Sequence, residues 1–297
     1  MKKYSIPRQL WRIIYPFLIF FIVSEAVVFV TMFIAGNAVI AVNPTDDYVE
    51  FYALVDAWVE KFSTEYFLWF SLAASLVALL VFYLMWRRER VGLPVYENAK
   101  LRPITAIMTT LLFGSLNFVL IAIIGISGII QYFPSHDEVT QMLTTGSFLV
   151  QILALGIVGP IVEELLCRGI VLNRLCSWMP KWAAVLISSL LFGVIHFNLF
   201  QGIYAFFMGI VLSVLYLRYR NIWVAIIAHI AFNMGNIMLR AILETVGAYG
   251  IYVVILLLLS VAVSIGSIIV LKKFTKAAVP VPIFETECID DVMQTEG

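Results

Sequence analysis

Charged residues are scarce in this sequence. Only 13% of its 297 residues are Asp, Glu, Lys or Arg, whereas 62% are hydrophobic. A soluble domain carries about 25% charged and about 45–50% apolar residues. The hydrophobic excess is too large for a soluble core, so the composition predicts an all-α, polytopic membrane protein. Because the formal net charge is zero, the charge balance gives no reason to expect a nucleic-acid partner.

Cysteines and two common catalytic signatures are also scarce or missing. The three cysteines, Cys167, Cys176 and Cys288, include no CxxC pair, which excludes a disulfide scaffold and argues against a Cys/His metal site. The sequence contains no GxSxG nucleophile motif and no HExxH zinc motif. No spacing places a histidine beside Cys167, so we interpret it as a packed side chain rather than a nucleophile.

Long apolar runs account for most of the chain. A membrane helix needs about 20 mostly apolar residues. The first run is too long for the apolar region of a signal peptide, about 7–15 residues, and is predicted to be a retained anchor. A tight turn near NLFQG joins the fifth run to the sixth. The sequence predicts eight membrane helices at 12–36, 66–86, 104–130, 147–170, 183–200, 202–217, 222–241 and 250–271.

The placement of lysine and arginine predicts the orientation, because cytoplasmic loops are enriched in both. With a cytoplasmic N-terminus, only Lys61 and Arg240 of the 19 basic residues fall outside. We therefore expect a multi-pass protein of a bacterial cell membrane with both termini in the cytoplasm. Residues 1–276 form the predicted membrane domain. Residues 277–297 are acidic and punctuated by proline, and are predicted to be a disordered tail.

Strongly polar residues inside the predicted membrane segments fall into three clusters. A charge in hydrocarbon costs about 2.5–3.5 kcal/mol on insertion scales, so such residues mark functional sites by default. The clusters are Glu163, Glu164 and Arg168 in GPIVEELLCRGI, His196 in LFGVIHFN, and His229 with Asn233 in AIIAHIAFNMGN.

Helical geometry suggests how the first cluster is arranged. Side chains of adjacent helical residues point about 100° apart, so Glu163 and Glu164 should not aim at one spot. Glu164 and Arg168 have the favoured acid-first spacing of an i, i+4 ion pair, which leaves Glu163 as the unpaired carboxylate. Pro160 should kink the helix and free a carbonyl near Gly156.

These residue types have a defined chemistry. A carboxylate and a histidine can polarise a water for attack on a carbonyl, and a histidine with an asparagine can donate hydrogen bonds to the oxyanion that forms. His229 and Asn233 share a helix face, and Phe192, one turn before His196, is placed to shape a pocket wall. An alternative uses zinc, because two histidines and a glutamate form a common catalytic set. Its ligands would be Glu163, His196 and His229.

One feature of the predicted helices conflicts with a shared site. His196 lies about 20 Å along the predicted fifth helix, whereas His229 lies about 10 Å from the start of its own. For the two residues to meet, the fifth helix must begin in the cytosol or cross the membrane at a steep tilt.

Three motifs occur in order across successive hydrophobic segments: EExxxR (EELLCR), FxxxH (FGVIH) and HxxxN (HIAFN). Together they resemble the CAAX-protease and bacteriocin-processing family of intramembrane proteases, also called the Abi family. The resemblance covers residues 147–238. It implies an all-helical membrane fold whose active chamber opens to the cytoplasm.

The resemblance also implies roles for individual residues. Glu163 and His196 would activate water, and His229 and Asn233 would form the oxyanion hole. Glu164, Arg168 and Phe192 would support them. We expect a metal-free mechanism with no cofactor, and zinc is the alternative.

The substrate implied by the resemblance is a membrane-associated peptide or protein. Eukaryotic members of the family trim prenylated CAAX proteins, whereas bacterial relatives are linked to peptide maturation and bacteriocin immunity. Two other functions would also use the polar residues: a proton-coupled transporter, and a non-catalytic immunity or scaffold protein. Crowding of the polar residues into the fourth, fifth and seventh segments favours the enzyme over a transporter, which often shows repeated halves.

Overall fold

The computed structural model describes residues 5–90, 100–246 and 250–274, and this part of the chain contains helices and no strand. The predicted acidic tail at 277–297 lies outside the described residues. The ten helices are α1 (Ile6–Val42), α2 (Tyr48–Lys61), α3 (Phe67–Arg90), α4 (Pro103–Ser127), α5 (Pro134–Thr144), α6 (Phe148–Cys176), α7 (Lys181–Val194), α8 (Leu199–Tyr219), α9 (Ile222–Val246) and α10 (Gly250–Phe274).

Seven of these helices are long and apolar enough to cross a membrane: α1, α3, α4, α6, α8, α9 and α10. They correspond to seven of the eight predicted segments. The protein is therefore an integral, multi-pass membrane protein with an all-α fold, as the composition predicts. Two shorter helices, α2 and α5, lie between predicted membrane segments.

The prediction for segment 183–200 is wrong in its length. Helix α7 ends at Val194 after 14 residues, about 21 Å at 1.5 Å per residue and short of a bilayer core of about 30 Å. His196 therefore lies in the turn after α7, not inside a membrane helix. Phe197 takes a left-handed conformation, with φ of 50°, and the Asn198 side chain caps α8 by accepting a hydrogen bond from the Gln201 amide at 3.0 Å. This is the tight turn predicted near NLFQG.

Helices α7 and α8 pack closely along this hairpin. A Cβ added at Gly193 would lie 2.6 Å from the carbonyl oxygen of Gly202, so the two backbones touch where neither residue has a side chain. Small residues allow this approach between membrane helices. The short α7 is thereby fixed against a full-length helix.

Helices α6 and α9 form the centre of the protein. Half of the most apolar window of α6 and 56% of that of α9 are buried, compared with 6% for α1. Helix α4 packs on α9 and α10, and α1 packs on α3. The helices that carry the predicted site are thus the ones most enclosed by protein.

At its C-terminal end α6 is tied to the first two membrane helices. Arg174 is 3% exposed and forms a salt bridge with Glu89 of α3. It also donates a 2.5 Å hydrogen bond to the Tyr15 hydroxyl and another to the Arg12 carbonyl of α1. A buried guanidinium needs several acceptors, and here two helices, α1 and α3, provide them.

Candidate active site

Helix α6 departs from α-helical geometry on both sides of Pro160. Residues Ile152–Val158 and Leu165–Leu172 are π-helical, and the Gly159 amide donates to the Ala154 carbonyl, five residues back. In this register the donor to the Leu155 carbonyl would be residue 160, which is proline and has no N–H group. The freed carbonyl is therefore that of Leu155, one residue from the predicted Gly156, because the helix is π-helical rather than α-helical here.

The amide of Asn233 replaces the missing donor. Its Nδ2 atom lies 2.9 Å from the Leu155 oxygen and donates a hydrogen bond to it. This contact fixes the Asn233 side chain of α9 against the irregular part of α6. An amide nitrogen carries two protons, so one N–H of Asn233 remains for another acceptor.

Glu164 and Arg168 form the predicted ion pair inside α6. Arg168 Nη1 lies 2.6 Å from Glu164 Oε1, and both side chains are completely buried. Arg168 also donates to the Gly209 carbonyl at 3.0 Å and to the Ser213 hydroxyl at 3.4 Å, both in α8. Its guanidinium carbon lies 4.5 Å from the centre of the Phe192 ring. The arginine thus joins α6 to α7 and α8.

His229 lies between the two adjacent glutamates. Its Nδ1 is 2.9 Å from Glu164 Oε1, and its Nε2 is 3.7 Å from Glu163 Oε2. An ionised carboxylate can only accept a hydrogen bond, so Nδ1 carries a proton. The sequence did not predict this arrangement. Two carboxylates that point about 100° apart from α6 do not meet at one point, but they can reach the two opposite nitrogens of a histidine ring on α9.

The two glutamates have different environments. Glu164 is fully buried, and its Oε1 receives hydrogen bonds from both Arg168 and His229. Glu163 is 25% exposed, and its Oε2 lies 3.7 Å from the Nε2 of His229. At 3.7 Å the two atoms are too far apart for a direct hydrogen bond, so the partly exposed carboxylate of Glu163 keeps its oxygens for other donors.

His196 approaches the same region from the turn after α7. Its Nδ1 donates a 2.7 Å hydrogen bond to the Phe192 carbonyl, because a carbonyl oxygen can only accept. The proton at Nδ1 leaves Nε2 with the free lone pair in the neutral ring. His196 is therefore oriented as a proton acceptor.

Phe192 connects the two histidines. Its ring centre lies 5.0 Å from that of His196 and 5.6 Å from that of His229, both with edge-to-face geometry. Helical side chains lean toward the N-terminus of their helix, so residues near the end of α7 reach back toward His229. His196 and His229 can therefore lie near each other despite their different positions along the predicted helices. Phe192 is only 1% exposed, so it packs beneath the site rather than lining an open wall.

The described residues contain no group of three or more His, Cys, Asp or Glu side chains placed to hold a metal ion. The alternative zinc set of Glu163, His196 and His229 is therefore not gathered as ligands in this arrangement. Cys167 is completely buried in the core, as its interpretation as a packed side chain predicts.

Sequence reasoning missed the groups of α8 that hold Arg168. Ala205, Gly209 and Ser213 follow one another at spacings of four and are all buried. A Cβ added at Gly209 would lie 3.0 Å from the Ser189 side chain. Small residues at this spacing allow close packing of membrane helices, so the stripe in the sequence could have predicted that α8 lies close to its neighbours.

Comparisons with known proteins concern the region that carries the site. Residues 145–235 match the family model described as "Type II CAAX prenyl endopeptidase Rce1-like". The chain is 34% identical over 131 residues to a Bacillus subtilis (strain 168) protein named "Putative membrane peptidase YdiL", covering 42% of this chain and 53% of that protein. It is also 29% identical over 173 residues to an uncharacterised 24.3 kDa protein of Escherichia coli, covering 55% of this chain and 76% of the relative.

No solved structure matches the chain. The alignment spans about half the length of the Bacillus protein, and the helices before residue 145 lie outside the matched family region. The matched region contains Glu163, Glu164, Arg168, His196, His229 and Asn233. Residues 145–235 of this integral membrane protein are thus similar to type II CAAX prenyl endopeptidases of the Rce1-like family, in agreement with the resemblance of the three motifs.

Proposed function

We propose that the protein is an intramembrane endopeptidase, which hydrolyses a peptide bond of a membrane-associated protein or peptide. The observation that carries the proposal is the contrast between the two adjacent glutamates. Glu164 is neutralised and buried, whereas Glu163 is partly exposed and faces an imidazole across 3.7 Å. A structural ion pair needs only Glu164 and Arg168. The second carboxylate, held beside a histidine and partly exposed, suits a general base.

In the proposed reaction, water attacks the carbonyl carbon of the substrate while Glu163 takes its proton. The free Nε2 of His196 is oriented to accept a hydrogen bond from the same water. When the C–N bond breaks, the proton passes from Glu163 to the leaving amine. The products are a carboxylic acid and an amine, so one water is consumed and no metal or other cofactor is required.

His229 and Asn233 are proposed to stabilise the oxyanion. Asn233 has one N–H to spare after its bond to Leu155. His229 donates from Nε2 when both ring nitrogens are protonated, which places its positive charge between the carboxylates of Glu163 and Glu164. Donors fixed in advance are the most effective means of stabilising such a charge.

The experiment that tests the function compares the peptides in membranes of cells that express wild-type protein or Glu163→Gln. We expect membrane-proximal cleavage products that are present with wild type and lost with the variant, and a peptide spanning such a site should be cut by purified protein. Cleavage should survive prolonged treatment with phenanthroline or EDTA. Identical products in both strains would contradict peptidase activity, and loss of cleavage that zinc restores would assign Glu163, His196 and His229 as ligands.

We propose that both termini lie in the cytoplasm of a bacterial cell, since this orientation leaves few basic residues outside. A single cysteine introduced at Tyr48 of α2, an exposed position, should then react with a membrane-impermeant maleimide in intact cells. Cys288, in the tail, should react only after the cells are opened. The reverse pattern would show that the orientation is inverted.

A further inference from the structure

The turn that carries His196 has a strained backbone. The next residue, Phe197, has φ of 50°, a left-handed conformation that glycine adopts freely and that costs free energy in a residue with a side chain. Such strain persists only where surrounding contacts maintain it, and it is concentrated at functional sites. Because the Phe197 side chain is 78% exposed, the α7–α8 hairpin itself provides little packing for it.

Helix α1 provides a contact for Phe197. The ring centres of Phe21 and Phe197 lie 5.3 Å apart at an interplanar angle of 60°, which is an edge-to-face pair. Phe21 is half-buried and packs against the hydrophobic core. Six residues earlier, about 9 Å along the axis of α1, Tyr15 accepts the hydrogen bond from Arg174 of α6. Helix α1 therefore runs from the C-terminal end of α6 to the turn beside His196.

The start of α5 makes a second group of contacts with the same turn. The Asn198 amide donates a 3.2 Å hydrogen bond to the carbonyl oxygen of Ser135. The rings of Phe133 and Phe200 pack with their centres 5.1 Å apart. Both α1 and α5 precede the region that matches the family model. Two helices outside that region thus contact the residues that follow the histidine.

The conformation of Phe197 determines where the His196 ring lies. The His196 amide donates to the Gly193 carbonyl at 3.3 Å, and the ring Nδ1 donates to the Phe192 carbonyl at 2.7 Å. If Phe197 leaves the left-handed conformation, the chain cannot pass from α7 to α8 in the observed geometry, so the end of α7 and the His196 ring must shift. A displacement of about 1 Å in a reacting group can slow a reaction by about 100-fold.

We propose that Phe21 of α1 is a positioning residue for His196. Its ring holds Phe197 in the left-handed conformation and thereby keeps Nε2 of His196 directed at the water that Glu163 activates. This inference rests on the proposed peptidase function. Phe21 acts through the turn rather than on the substrate, so the first membrane helix contributes to the geometry of the candidate site.

A purely structural role for Phe21 is attachment of α1 to the bundle. The two roles differ in their dependence on residue 197. Phe197→Gly removes the cost of the left-handed conformation, so a turn with this substitution no longer depends on the ring of Phe21. Attachment of α1 is expected to matter equally with or without Phe197→Gly. Comparing Phe21→Ala in the two backgrounds therefore separates the roles.

The experiment uses full-length protein in lipid nanodiscs with ¹⁵N-labelled histidine. The chain has three histidines, and His196→Gln identifies the signals of His196. Solid-state NMR of the wild type should show one His196 species, protonated at Nδ1. The cost of the left-handed conformation and the gain from an edge-to-face pair are similar in size, so Phe21→Ala should leave the turn in equilibrium and give a second His196 species.

The same variants are assayed for kcat with a peptide that the wild type cuts. Phe21→Ala should lower kcat by about 3- to 10-fold, the size of an edge-to-face interaction, and leave KM unchanged. Phe21→Tyr keeps the ring and should retain the wild-type spectrum and kcat. In the Phe197→Gly background, Phe21→Ala should change kcat by less than about twofold. If Phe21→Ala does not fold, Phe21→Leu, which keeps apolar volume without a ring, takes its place.

The matched control is Phe29→Ala, which removes an exposed phenylalanine from the same helix and should change neither the His196 signals nor kcat. An unchanged His196 spectrum in Phe21→Ala, or an equal loss of kcat in both backgrounds, would overturn the positioning role. A second His196 species in Phe21→Ala, in a protein that cuts no peptide, would support that role and contradict the peptidase. Peptide cleavage that Phe21→Ala leaves at the wild-type rate would do the opposite.

Discussion

Glu163→Gln should reduce the rate of peptide hydrolysis by about 10²–10⁴-fold, the usual contribution of a general base. Gln has the size of Glu but cannot take a proton from water. Its amide can still face the Nε2 of His229 across the present 3.7 Å gap, so little change in packing is expected. The measurement is kcat for a peptide spanning a mapped cleavage site, with size-exclusion chromatography to verify that the variant is folded.

The matched control is Glu25→Gln, which removes an exposed carboxylate from the membrane helix α1. It should leave the rate unchanged, because Glu25 takes no part in the proposed reaction. Asn233→Ala should slow hydrolysis by about 10²–10³-fold, as expected for a single oxyanion donor. Full activity of Glu163→Gln would exclude Glu163 as the general base, whereas absence of hydrolysis by the wild-type protein would favour a carrier or scaffold.

The fold was largely predictable from hydrophobic runs, because a membrane helix must satisfy its own backbone over about 20 residues. The exception, α7, shows the limit of this reasoning. Its apolar run continues through His196, so hydrophobicity alone does not reveal the break at Phe197. The local signal was Asn198, a favoured residue at the start of a helix.

The residues of the candidate site were predictable by type, but their contacts were not. Spacing within one helix identified the Glu164–Arg168 pair, since both residues belong to α6. The contact of His229 with both glutamates depends on the distance between α6 and α9 and on how each is rotated about its axis. The spacing of residues within one helix gives no information on either. The freed carbonyl lies near Gly156 as predicted, but its exact position, Leu155, depends on the π-helical register of α6, which the sequence does not show.

The role of Glu164 also changes with these contacts. As the partner of Arg168 alone, it would serve only to stabilise the helix. Its hydrogen bond to His229 Nδ1 makes it an orienting group for a proposed oxyanion donor as well. Stability and the proposed catalysis therefore depend on the same carboxylate oxygen, so variants at this position should be assayed for both.

Arg168→Ala should destabilise the protein by about 3–5 kcal/mol, the cost of leaving one member of a buried ion pair without its partner. The substitution leaves Glu164 with His229 as its remaining hydrogen-bond donor, and the Gly209 carbonyl loses the donor seen here. Glu164→Gln should cost less. It removes the negative charge but keeps an oxygen that can accept from Arg168, which retains its contacts with Gly209 and Ser213. The free energy of unfolding can be measured by titration with SDS in mixed micelles.

A double variant gives the sharper comparison. Glu164→Gln combined with Arg168→Met removes both charges and keeps most of the side-chain volume, so no uncompensated carboxylate remains in the core. Replacing a buried ion pair by neutral groups is often close to neutral, whereas breaking it is not. We therefore expect the double variant to be more stable than Arg168→Ala, although His229 loses its charged acceptor and hydrolysis should fall. If instead Arg168→Ala unfolds at the same SDS fraction as wild type, the ion pair contributes nothing to stability. Water would then have to solvate the Glu164 carboxylate that the variant leaves between α6 and α8.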